Sequence, residues 1–166
     1  MKKLLIAILM IAPLSMNAQK FAHFNSGDII SNMKEFTAAT EEIQSMAKQY
    51  EDDIKLMQEE LQKKSEEYQK EQAKLLDNVK QRREQELQDL YQRLQQSYQD
   101  NQQALEKARQ EKFGVINEKV LAAVKKVGEE GGYVYVVDIS TGVIPFVNTQ
   151  LSTDISAQIK KELGIQ

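Results

Sequence analysis

The side chains in this chain that are able to do chemistry do not gather into a reacting set. Three adjacent carboxylate pairs stand out: Glu41-Glu42, Asp52-Asp53 and Glu66-Glu67. Acid–base catalysis needs one member of such a pair held at a shifted pKa by burial or a close like charge. These pairs lie in strongly polar stretches that imply no pocket, so they read as solvated surface. His23 is the sole histidine and there is no cysteine. A transition-metal site draws on several ligands, so His23 is expected to be a packed or edge histidine. The missing cysteines exclude disulfides and cysteine–zinc sites. No glycine-rich phosphate loop and no Ser/His/Asp arrangement is present. The sequence therefore points to no catalytic residue, no cofactor and no metal, and nothing in it supports an enzyme. Two other surfaces remain. Lys80, Arg82 and Arg83 form a basic cluster, either an ordinary solvated charge run or a contact point. Gln81, Gln85, Gln88, Gln92, Gln95, Gln96, Gln99, Gln102 and Gln103 make an uncharged polar stretch. It is either helix-compatible filler or an adaptable contact surface.

Both surfaces sit in the element that dominates the chain, residues 36–128. This stretch has no proline, and its only glycines are Gly114 and the terminal Gly128. It is rich in Glu, Gln, Lys, Leu and Ala, which favour helix. Phe36, Ile43, Tyr50 and Met57 are seven apart, as are Ala47, Ile54, Leu61, Tyr68 and Leu75. The two series interleave into one apolar stripe. A second stripe follows, with Leu87, Leu94, Ala108 and Val115 on one series and Tyr91, Tyr98 and Leu105 on the other. Between them lies Asp77-Asn78, a pair of turn-favouring residues. Folding back there buries one stripe on the other, in two arms of about 45 residues and ~65 Å each at ~1.5 Å per residue. One uninterrupted helix is the alternative. Gly114, where the apolar face widens through Val115, Ile116, Val120, Leu121 and Val124, is either a hinge or a site of close packing.

The compartment is read from the first eighteen residues. Lys2-Lys3 precede an apolar run, Leu4 to Ala12, too short to cross a bilayer. Asn17-Ala18 then closes what reads as a secretory signal peptide, 1–18, for export. No cysteine follows, so a lipoprotein is excluded. The full chain holds 22 basic and 25 acidic side chains. Losing Lys2 and Lys3 leaves 20 against 25, a formal charge of −5, which argues against nucleic acid as a partner.

Strands are expected on both sides of the hairpin. Phe21 to Asn25 reads as a short strand, followed by a small helix through Met33 capped by Ser26 or Asp28. After the hairpin, Gly128, Gly131 and Gly132 end the helix. Tyr133 to Ile139 is the strongest strand in the chain. Thr141-Gly142 reads as a turn, and Val143 to Val147 as a second strand with Pro145 at an edge. Ser152 or Thr153 then opens a last helix through Leu163. The fold class is thus α+β and mostly helical. Residues 36–128 form a long antiparallel hairpin, and 19–35 with 129–166 form a small β body. So small a sheet needs assembly, which assigns oligomerisation to Phe24, Val134, Val136, Ile139 and Ile144.

This order of elements resembles the Skp/OmpH family of periplasmic chaperones across the mature chain. Local matches are Tyr133–Asp138, resembling the family's strand ending in Val-Val-Asp, and Asp154-Ile155-Ser156 leading to Ile159-Lys160-Lys161-Glu162-Leu163, like its closing helix. The resemblance implies a trimer, with a β body and three helical tentacles around a cavity. It further implies an ATP-independent holdase that keeps unfolded outer-membrane β-barrel proteins from aggregating. At the tip, Lys80, Arg82 and Arg83 would then touch a membrane surface or a client. One departure stands out: residues 41–112 carry 13 basic and 17 acidic side chains, whereas well-known family members are strongly basic. That puts electrostatic capture and any lipopolysaccharide site in doubt. The competing function is a structural coiled-coil spacer or adaptor of a cell-envelope complex. The flanking strands separate the two, because a pure spacer needs none.

Overall fold

The computed structural model describes residues 19–165; the expected signal peptide, 1–18, lies outside them. In chain order the elements are β1 (Lys20–Phe24), α1 (Ser26–Ser31), α2 (Lys34–Glu71), a 3-10 turn (Gln72–Lys74), α3 (Asp77–Gly131), β2 (Tyr133–Asp138), β3 (Ser152–Asp154) and α4 (Ser156–Glu162). The chain divides into two compact units, one of residues 28–121 and one of residues up to 27 with 122–164.

The helical unit is an antiparallel hairpin. Its cross-helix pairs climb α2 as they descend α3: Glu35 with Lys119 at 2.9 Å, Glu42 with Lys112, Gln58 with the Tyr98 hydroxyl at 2.9 Å, and Tyr68 with Glu84. The Phe36 and Phe113 rings meet at 5.5 Å between centroids. Ala39, Ile43 and Ile54 of α2 and Leu90, Leu94, Ile116 and Val120 of α3 form the buried seam. On α2 the expected heptads hold, since every member of both series is buried or half-buried. On α3 they hold only in part. Tyr91, Tyr98 and Val115 are exposed, and Leu90 and Ile116 take the seam instead. A straight helix drifts by about 20° per heptad against a seven-residue repeat. Over the four heptads from Leu87 to Val115 that amounts to about 80°, enough to swing Val115 out of the contact.

The turn also differs from expectation. It occupies residues 72–76, and Asp77-Asn78 open α3 rather than form the turn. The N–H groups of Val79 and Lys80 both donate to the Leu76 carbonyl at 2.9 Å. Asp is favoured in turns but also in a helix's first turn, where its charge meets the positive end of the dipole; here the second preference wins. The arms are consequently unequal, 38 and 55 residues. Gly114 lies within unbroken helix with nothing near its missing side chain, so close packing is not its role.

In the other unit the sheet order is β2-β1-β3, with β1 parallel to both neighbours. Ala22, His23 and Phe24 of the central strand are buried, and Ile155, just before α4, and Ile159 within it are wholly enclosed. The helix α3 ends later than Gly128. It runs to Gly131 and stops at Gly132, whose φ of 65° lies in the left-handed region. Gly128 is buried instead, and a side-chain carbon there would stand 3.2 Å from a Val136 methyl. Val143 to Val147 is not a strand; the third strand is Ser152–Asp154. Pro145 has no N–H to donate, and parallel pairing onto β1 demands a long crossover rather than a two-residue hairpin. The helix expected at Ser152 or Thr153 accordingly starts at Ser156, whose N–H donates to Asp154 Oδ1 at 2.9 Å.

Candidate functional site

Each group with chemical potential has a structural occupation. His23 is 4 % exposed, and its Nδ1 lies 2.9 Å from the Ser152 hydroxyl. It joins β1 to β3, as a packed histidine does. Asp138 accepts hydrogen bonds from the Ser26 N–H and hydroxyl, at 3.2 and 2.5 Å, and from the Ser140 N–H and hydroxyl, at 2.9 and 2.8 Å. Partial burial pushes its pKa up, but the four hydrogen bonds outweigh that and hold it below the ordinary carboxylate value. The Ser156 hydrogen bonds likewise lower Asp154. These carboxylates fasten chain segments together, Asp138 the start of α1 to the end of β2. The pairs Glu41-Glu42, Asp52-Asp53 and Glu66-Glu67 are exposed, and Glu42 is bound to Lys112. No group of three or more metal-ligating side chains occurs among the described residues.

The residues expected to assemble copies of the chain are placed differently from one another. Phe24 is buried within β1. Val136 is half-buried beside Gly128. Val134, Ile139 and Ile144 are exposed. The same unit leaves out more apolar surface than the sequence pattern indicated: Val143 is 81 % exposed, Phe146 78 %, and Leu151 and Tyr135 are also open. Residues 131–153 carry one charged side chain, Asp138, in a chain that is 28 % charged. Depletion of charge with exposed aromatic and aliphatic side chains is the signature of an interface core.

At the hairpin turn, Leu76 is exposed. Lys80 pairs with Asp77 at 3.6 Å, and Arg82 and Arg83 both approach Glu86, at 4.0 and 3.5 Å. The basic cluster is brought together, but acids partly neutralise it. Near the other end of the helical unit, Ala38, Ala39, Val115 and Ile116 line a shallow cavity of about 400 Å³. The Glu35–Lys119 and Glu42–Lys112 pairs flank it. Among the described residues no helix is long and apolar enough to cross a membrane.

Comparison with known proteins agrees with this architecture. A family model described as outer membrane protein (OmpH-like) matches residues 20–163. Among solved structures, a chain from Caulobacter crescentus CB15, described as a candidate outer membrane chaperone (OmpH-like), superposes with a TM-score of 0.73. It is 13% identical in sequence, and the match covers 87% of this chain and 83% of that one. At that identity the likeness establishes the fold. No curated protein matches the chain.

Proposed function

The chain belongs to the OmpH-like family of outer membrane proteins, and from that premise we propose that it is an ATP-independent periplasmic holdase that binds unfolded outer-membrane β-barrel proteins and prevents their aggregation. The observation that carries the reading is the hairpin. Two helices of 38 and 55 residues expose a long polar surface around a narrow apolar seam. Such a surface offers many weak contacts along its length. An unfolded barrel is long, amphipathic and prone to aggregate through unpaired strands. Holding it requires keeping other chains away rather than binding one sequence tightly.

Assembly belongs to the same proposal. The uncharged, exposed segment 139–151 and the open flank of β2 suit contact between copies, and a trimer is the state expected from the family. Several hairpins in one assembly would give weak contacts the advantage of multivalency. Export by a signal peptide at residues 1–18 supplies the periplasmic location, and Lys80, Arg82 and Arg83 with Leu76 would contact a client or a membrane surface. The competing reading, a coiled-coil spacer or adaptor in a cell-envelope complex, gives the three-stranded sheet no task.

The test is light scattering by a urea-denatured outer-membrane β-barrel on dilution. With the mature protein present and no nucleotide, scattering should be suppressed, and suppression should persist in moderate salt, which screens exposed charges most. Unchanged aggregation would contradict the holdase reading. Protection that disappears with salt would contradict capture by apolar and neutral polar contacts.

A further inference from the structure

Helix α3 carries an uncharged lane. Gln88, Gln95 and Gln102 are seven apart and run down its middle, with Tyr91 and Tyr98 along one side and Gln92 and Gln99 along the other. At 3.6 residues per turn these positions share one face. All seven are exposed, Tyr91 at 52 % and Tyr98 at 44 %. Glu84 and Glu106 bound the lane along the helix, while Asp89, Arg93 and Asp100 lie on its far side. From Gln88 to Gln102 it measures about 21 Å. Two glutamines outside it are engaged with acids: Gln85 donates to Asp89 and Gln96 to Asp100, each at 2.8 Å. Among the described residues, the side-chain amides of the lane's five glutamines make no hydrogen bond within the chain.

We propose that this lane is the surface that holds the client, and that its occupant is an extended segment of unfolded polypeptide with unpaired backbone amides. The proposal rests on the holdase reading above and names its contact surface. A glutamine amide offers two donors and a carbonyl acceptor. It can exchange water for the N–H and C=O groups of an extended chain without stripping water from a charge, the step that makes contact over Lys or Glu costly. Tyrosine adds broad apolar contact at small conformational cost, with the Tyr98 hydroxyl already accepting from Gln58. A strand of about six residues spans roughly 20 Å, the length of the lane. Charge decides between occupants. Residues 41–112 hold 17 acidic and 13 basic side chains, so a second hairpin of this chain would bring ions onto a neutral strip. A neutral, amphipathic segment would not.

The experiment places a photo-crosslinking phenylalanine at Gln95 in the lane, or at Arg93 on the far side, of the full mature protein. Each is mixed with a urea-denatured outer-membrane β-barrel, diluted and irradiated. The Gln95 probe should capture the barrel several-fold more than the Arg93 probe. The triple variant Gln88→Glu, Gln95→Glu, Gln102→Glu should keep its helical circular dichroism yet lose most of its protection, while Gln96→Glu should keep it. Equal capture by the two probes, capture at Gln95 mainly of a second copy of this chain, or full protection by the helical triple variant would each overturn the lane. The unsubstituted protein serves as the separate control on function. If it protects the client while the Gln95 probe shows no preference, the lane fails alone; if it does not protect, the holdase reading fails with it.

Discussion

The two units treat apolar side chains in opposite ways. The hairpin buries the best of them in its own seam, between Ile43, Ile54, Leu90, Leu94 and Ile116, and turns charge and glutamine outward. The sheet unit buries Ala22, Phe24, Ile155 and Ile159, but leaves Val134, Tyr135, Val143, Phe146 and Leu151 in solvent on a stretch nearly free of charge. A helical pair satisfies its backbone groups internally except at the helix ends, and needs one stripe of contact. A three-stranded sheet with two open edges satisfies neither its edges nor its outer faces. The hairpin closes its own apolar seam along its length, whereas the sheet unit leaves apolar side chains and strand edges open.

The largest effect that would break this contrast is on assembly. Val143→Asp with Phe146→Asp alters exposed positions of the sheet unit, so the folded chain should survive and its oligomer should fall apart. Light scattering at micromolar concentration reads the mass, and an unchanged mass would mean the uncharged stretch serves another purpose. A smaller effect sharpens the hairpin half of the contrast. Leu94→Ala in the seam should cost roughly 2–4 kcal/mol, while the adjacent Tyr91→Ala should stay near about 0.5 kcal/mol. Urea titration of helical circular dichroism compares them; equal costs would show that the seam is not where the structure places it.

The smallest effect concerns acid. Hydrogen bonds hold Asp138 and Asp154 below the ordinary carboxylate value in the folded chain. Their contribution is present above the unfolded pKa of about 4 and is lost as pH falls through the lowered folded values. The protection of the His23 and Phe24 amides against exchange should therefore fall as pH drops below about 4. Asp138→Asn should lower protection at neutral pH by roughly 1 kcal/mol, discounted for partial exposure, and flatten that acid response. An unaltered acid response in the variant would remove Asp138 from the account.

What was legible in the sequence follows the same division. The hairpin, β1, β2 and the last helix are written in local patterns: heptads on α2, a run of aromatic and β-branched residues at Tyr133–Val137, and glycines where helices stop. The failures are places where one local pattern has two uses. Asp77 suits a turn or a helix start. Val143 to Val147 is apolar enough for a strand, but the competition for the two sides of β1 is won by Ser152–Asp154, a tripeptide with no apolar side chain. Its pairing is made by backbone and by Ser152 with His23, which no hydrophobic pattern reports. On α3 Leu87, Leu94, Leu105 and Ala108 kept to the seam, while Tyr91, Tyr98 and Val115 lie outside it. The lane of glutamines and tyrosines was visible as composition. Its exposure was not, because tyrosines at heptad spacing read as seam.

The central claim is that the hairpin is the working part and the sheet unit the part that assembles. Deleting Lys48 to Lys112, with a short turn in their place, separates the two. The measurement is aggregation of a denatured outer-membrane β-barrel in the presence of intact or shortened protein, with the oligomeric mass of each determined alongside. The shortened protein should retain the mass of the same oligomer, reduced only by the deleted residues, and give no protection. Protection by the shortened form equal to that of the intact one would contradict the claim.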